Sequence, residues 1–545
     1  MTMANNLSQG GNRRACLCPS RMARLLLLGL AIHLSAAELP AQAQRPKPSH
    51  HRHAAPIGQP VERADIARFR ARVAVALSAA GPSKGIWGVL VTDAGSSQVL
   101  YAQNADSYFT PASNAKLFTT ALALATLGPD YRVNTTMASA GTIDSSGLLN
   151  GDLILIGRGD ANLSNRRFPY DKRVERDGPP EKVLAEMADA VVARGVKEIS
   201  GDVVADDSMF QPEPFPSGWA IDDMLWSYGA AVSAIAVDDN TFLVELRPGA
   251  KEADAAMVTI QPDADYYTIE NMVRTSAPRV EENLTVTREP GSHLVRIAGT
   301  MPQSGSPHKL TIGIEQPAEY AAKLLQRLLQ ARGVHVRGVS RARHALDPQL
   351  TSSVAVPQTI LAEHASVPLA DEVRAINKES LNLHAELLLR LAAYEKAQAI
   401  TYEDALKFAA AFYQTVGIAD GDVAFKDGSG LSRRDLVTPR AIVQMLRYAA
   451  TQPWGAVYRS SLPIAGEDGT LAEHMKNTPA AGRIFAKTGT VEHIAALSGY
   501  ATTVRGENLI FSILGNNNNL HAQGSREVVD AIVEAMVEEL GTGKK

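Results

Sequence analysis

The chain has 545 residues, 45% hydrophobic and 21% charged, a globular balance with length for more than one domain. Lys and Arg number 54 against 58 Asp and Glu, for a formal net charge of −4, so no basic excess argues for a nucleic-acid partner.

Residues 1–43 read as an export signal. Arg13, Arg14, Arg21 and Arg24 make a basic start, and Leu25 to Ala37 is an apolar run too short to span a bilayer comfortably, with a retained membrane anchor as the alternative. Ala41-Gln42-Ala43 then offers a small-x-small cleavage site. The expected compartment is the periplasm. Both cysteines, Cys16 and Cys18, precede the apolar run, so a chain cut near Ala43 has no thiol for disulfides, catalysis or metal. Residues 44–60, rich in Pro and His, read as a flexible spacer.

Ala64 to Ser78 has the apolar spacing of an amphipathic helix. Ile86 to Thr92 and Gln98 to Ala102 read as strands joined by the turn Asp93-Ala94-Gly95-Ser96. A helix apolar nearly all round, hence buried, runs from Ser113 to Leu127 and stops at Gly128-Pro129. From about Tyr131 to Arg343 short β-like runs dominate: 152–156, 201–205, 242–246, 257–260, 284–287, 294–297 and 310–314. Helical patterns at Glu181 to Ala193 and Ala318 to Ala331 interrupt them. Helical texture returns at Val373 to Tyr394, Glu403 to Val416 and Pro439 to Ala450. Three strands follow, at 483–490, 495–503 and 508–514, then a last helix from Ser525 to Leu540. Strands at both ends with helices between predict one α/β (α+β) domain, its two parts separated by a mostly β inserted region.

Three strings carry chemistry. In Ser113-Asn114-Ala115-Lys116 the helical spacing puts Lys116 one turn from Ser113. A hydroxyl is a poor nucleophile until a base takes its proton, and burial pushes an amine toward the neutral form that can do so. Ser306-Pro307-His308-Lys309 has the same spacing but enters a strand-like run, so context selects Ser113. In Ser380-Leu381-Asn382 the hydroxyl can hand a proton to a departing amine, and Asn382 can hydrogen-bond a substrate amide and Lys116. In Lys487-Thr488-Gly489-Thr490 a cation and hydroxyls can grip a carboxylate, and Gly489 lets a peptide lie close to a strand edge. The backbone N–H groups of Ser113 and Thr490 are the candidate oxyanion hole. No His-Glu-x-x-His metal site is present.

In this order the strings resemble those of low-molecular-mass class C penicillin-binding proteins, the D-Ala-D-Ala carboxypeptidase/endopeptidases. Gly201-Asp202-Val203-Val204-Ala205-Asp206-Asp207-Ser208-Met209-Phe210, Asp427-Gly428-Ser429-Gly430-Leu431-Ser432-Arg433 and Gly469-Thr470-Leu471 add to the resemblance. So does the separation of 267 residues between Ser113 and Ser380, where that family carries inserted domains. The resemblance implies a penicillin-binding/β-lactamase-like catalytic domain at 61–130 plus 345–545, an antiparallel sheet flanked by helices, with one or two domains inserted at 131–344. It implies Ser113 as the acylated nucleophile and Lys116 as its base, with Ser380, Asn382 and Lys487 completing the proton network. Thr488, Gly489 and Thr490 would hold the substrate. Asp206 would receive the free amine of a diaminopimelate side chain, with Asp207 beside it leaving the choice of aspartate open, and Arg433 would contact substrate. The implied partners are peptidoglycan peptides ending in D-Ala-D-Ala and β-lactams as inhibitors, with no metal or other cofactor; peripheral membrane or cell-wall association stays open. The rivals are a β-lactamase or esterase of the same superfamily and a non-catalytic cell-wall binding protein.

Overall fold

The computed structural model describes residues 63–79, 81–172, 175–347 and 358–542; the expected export signal and spacer lie outside them. Helix α1 (Ala64–Ser78) buries Phe69 and Val73, one helical turn apart. Strand β1 (Ile86–Asp93) is buried on both faces, and β2 (Val99–Gln103) pairs with it. A 3₁₀ turn, Ala112–Ala115, leads into α2 (Lys116–Leu127), whose first nine residues are all buried. Gly128, at φ +86°, ends it.

The insertion begins with β3 (Asn134–Ser139), β4 (Leu153–Ile156) and β5 (Val203–Asp206), and later adds β6 (Ser340–Arg343). These join β7 (Thr359–Ala365) in a five-stranded sheet ordered β6-β5-β4-β3-β7. Because β7 pairs antiparallel with β3, this sheet runs past the boundary at 344 read from sequence. Helices 182–193 and 317–331 pack beside it. Two three-stranded sheets fill the middle: 241–247 with 257–261 and 308–313, and 268–276 with 283–288 and 294–302.

The expected helix from Val373 to Tyr394 is two helices, α3 (Leu369–Glu379) and α4 (Asn382–Ala397). Ser380 is left-handed at φ +61° and Leu381 extended, so the chain turns between them. The apolar pattern carries through the break, with Ile376 and Leu383 both buried, and so hides it from a periodicity reading. Helix α5 (Pro439–Thr451) is capped by Thr438, whose Oγ1 accepts the Ala441 N–H at 3.1 Å. Strands β8 (Ile484–Val491), β9 (Ile494–Thr502) and β10 (Asn508–Asn516) precede α6 (Ala522–Glu539).

The sheet of the expected catalytic domain is ordered β8-β9-β10-β1-β2, antiparallel throughout, so both ends of the described chain build it. Helices α1 and α6 cover one face through Phe69, Ile532 and Met536, and α2 and α5 the other through Leu122 and Leu446. Strand β8 is left at the edge, beside the start of α2.

Candidate active site

The Ser113 turn is fixed by two backbone constraints. Ala112 is left-handed at φ +47°, a costly conformation for a residue with a Cβ. Gly430, at φ +82°, packs on it so closely that a Cβ there would lie 1.9 Å from the Ala112 carbonyl oxygen. The next turn carries Lys116, wholly buried, with its Nζ 2.9 Å from Ser113 Oγ, 2.6 Å from Asn382 Oδ1 and 2.7 Å from the Ser429 carbonyl. Burial pushes its pKa down to about 7, against the opposing pull of Asp427 and Glu386. A neutral amine suits these partners: two N–H groups donate to the two carbonyl oxygens, and the lone pair faces the Ser113 hydroxyl, which donates to it.

The break between α3 and α4 delivers the second string. Left-handed Ser380 closes α3, and Asn382 opens α4, so both side chains sit at the gap between the helices. Asn382 gives Oδ1 to Lys116, and its Nδ2 donates to the Tyr228 carbonyl at 2.8 Å, which ties the insertion to the site. Lys487, on edge strand β8, is also wholly buried and donates to Ser380 Oγ and the Thr488 carbonyl, each at 2.9 Å. Burial, reinforced by Lys116, holds its amine well below the ordinary lysine range.

A cleft of about 460 Å³ runs along β8, lined by Ser113, Ser380, Thr488, Gly489 and Thr490. Thr470 joins them, its hydroxyl 2.7 Å from that of Thr488. A Cβ at Gly489 would lie 2.8 Å from the Pro111 carbonyl oxygen and 3.0 Å from Asn114 Nδ2. The missing side chain therefore lets β8 close on the Ser113 turn as well as leaving room for a ligand. Asn114, buried, completes that junction by donating to the Lys487 carbonyl at 3.0 Å.

The support behind Lys116 was not legible as function. Glu386, one turn after Asn382 and wholly buried, accepts the N–H groups of Gly428 and Ser429 at 2.9 and 2.8 Å. That aims the Ser429 carbonyl at Lys116. Burial and the neighbouring Asp427 push Glu386 up to about 8. Asp427 in turn accepts from the Gly430 and Ser432 N–H groups, each at 2.7 Å, and from Trp219 Nε1 of the insertion at 2.9 Å. An acidic residue four after Asn382, and the Asp-Gly-Ser-Gly string, were the available signals.

Two expected substrate contacts, Asp206 and Arg433, have protein partners. Asp206 ends β5 beside Arg343 of β6, which donates to it at 3.3 Å, because register pairs these two residues across a parallel ladder. Asp207 is buried, between His344 Nδ1 at 2.7 Å and the Ser233 hydroxyl at 2.8 Å. Arg433 donates to Asp223 at 3.1 Å and to the Leu431 carbonyl at 3.3 Å. None of the three is among the residues lining the cleft.

The geometry has relatives. Among curated proteins, a D-alanyl-D-alanine carboxypeptidase of Actinomadura sp. (strain R39) is 33% identical over 466 residues, covering 83% of this chain and 81% of its own. The D-alanyl-D-alanine carboxypeptidase DacB of Haemophilus influenzae is 28% identical, covering 78% of this chain and 84% of its own. The crystal structure of penicillin binding protein 4 from Haemophilus influenzae has the same fold, with a TM-score of 0.72 at 24% identity over 86% of this chain and 98% of that one. A family model described as D-Ala-D-Ala carboxypeptidase 3 (S13) matches residues 70–538, taking in both halves of the catalytic sheet and the insertion between them. The chain belongs to the D-Ala-D-Ala carboxypeptidase 3 (S13) family.

Proposed function

We infer that this chain is a serine-type D-Ala-D-Ala carboxypeptidase and DD-endopeptidase acting on peptidoglycan stem peptides. The observation that carries the reading is the Lys116 amine, buried and 2.9 Å from the Ser113 hydroxyl, with its other two contacts on carbonyl oxygens. Ser113 gives its proton to Lys116 as Oγ attacks the carbonyl of the penultimate D-alanine. The oxyanion is held by the backbone N–H groups of Ser113 and Thr490. The departing amine takes, through Ser380, whose hydroxyl accepts from Lys487, the proton that Lys116 received, which leaves Lys116 neutral again. Water then enters, gives up its proton to the same base, and frees the acid from the acyl-serine. Thr488 and Thr490 hold the carboxylate of the leaving D-alanine. β-Lactams acylate Ser113 by the same opening step. The basic, apolar and small-x-small stretches of residues 1–43 support export to the periplasm.

A fluorescent penicillin tests the nucleophile. The wild-type chain is labelled, and Ser113→Ala loses labelling about a thousandfold or more. Equal labelling of both removes Ser113 from the role. Mass spectrometry of digested muropeptides separates the two activities: loss of one alanine reports carboxypeptidase, and dimers falling to monomers report endopeptidase. Cleavage of neither overturns the reading.

A further inference from the structure

The cleft that holds Ser113, Thr488 and Thr490 is also lined by His474, Ser525 and Arg526, the last two on the opening turns of α6. No carboxylate is among its lining residues, which are hydroxyls, small apolar groups, one histidine and one arginine.

A substrate ending in D-alanine brings a full negative charge into this cleft. The two lysines of the site answer it poorly. Both are wholly buried, and each has its Nζ committed to protein oxygens. His474 is engaged by Asp530 at 2.9 Å. Arg526 is exposed, and no acceptor among the described residues pairs with its guanidinium. It is the one uncommitted cation lining the cleft, at the positive end of a helix.

We propose that Arg526 binds a carboxylate of the leaving group in the cleft that Thr488 and Thr490 also line. This rests on the functional reading above. Two sources carry that chemistry: the carboxylate of the leaving D-alanine, and one farther along the acceptor stem of a DD cross-link. A guanidinium fits either through paired N–H donors.

Steady-state kinetics on the full chain test this with R526Q and R526K. The substrates are a peptide ending in D-Ala-D-Ala, its C-terminal carboxamide, and a cross-linked muropeptide dimer. R526Q raises KM for the free-acid peptide about tenfold to a hundredfold with little change in kcat, leaves the carboxamide unchanged, and is partly rescued by R526K. A rise confined to the dimer also supports the proposal and assigns the distant carboxylate. An active wild type matched by R526Q on both free-acid substrates overturns the proposal alone, as does an equal loss on the carboxamide. A wild type that cleaves none of the three overturns the functional reading and this proposal with it.

Discussion

At the scale of single residues the chemistry turns on how one lysine loses its charge. Burial pushes Lys116 down to about 7, against the raising pull of Asp427 and Glu386. In the proposed mechanism the working form is the free amine, and its fraction grows as pH rises through that value. Acylation by a penicillin should therefore climb about tenfold per pH unit below about 7 and level off above it, as a stopped-flow pH profile will show. A flat profile from pH 5 to 9 removes Lys116 as the base. Ser113 and Lys116 were legible in sequence because one helical turn joins them. Glu386 was not, because it acts through the backbone N–H groups of Gly428 and Ser429, and no local spacing encodes that contact. Asp206 was singled out by resemblance, and its contact with Arg343 was not legible, because that partner is set by strand register in a sheet whose order the sequence does not reveal.

Among the elements, turns and breaks place the reactive groups, while the regular stretches hold them. The bounds of α1 were read residue for residue, since fifteen residues of apolar spacing specify a helix. The gap between α3 and α4 was missed, since it rests on one left-handed residue inside an unbroken apolar pattern. The loop 427–430 is the same kind of device, packed against the nucleophile turn. Gly430→Ala puts a Cβ 1.9 Å from the Ala112 carbonyl and forces alanine to φ +82°, so loop or turn must move. A shift of about 1 Å at Ser113 costs on the order of a hundredfold in acylation rate. The expected outcome is a folded protein, by circular dichroism, that labels at least about a hundredfold more slowly. Labelling at the wild-type rate means the loop yields without disturbing Ser113.

For the molecule as a whole the question is what couples the insertion to the catalytic domain. Part of the answer is apolar: Phe210, Trp219 and Val232 of the insertion share a buried cluster with Leu383, Leu387 and Leu391 of α4. The rest is charge. His384 of α4, wholly buried, lies between Glu372 of α3 and Asp239 of the insertion, the latter at 2.9 Å and also bound by Arg166 and Arg176. Burial alone would push this imidazole down, but the two carboxylates outweigh it and raise it to about 9. A histidine raised on folding stabilises the native state fully below its unfolded pKa of about 6.5, and that stabilisation is lost as pH climbs through the folded value. Denaturant unfolding should therefore show stability falling between pH 7 and 9.5. His384→Gln should flatten that slope, and His384→Ala should cost about 3–5 kcal/mol at pH 7, the cost of stranding buried charge. Since α4 also carries Asn382, the alanine variant should slow acylation too. An unchanged pH slope in His384→Gln would mean that the histidine is neutral in the fold and that its charge does not help join the insertion to the site.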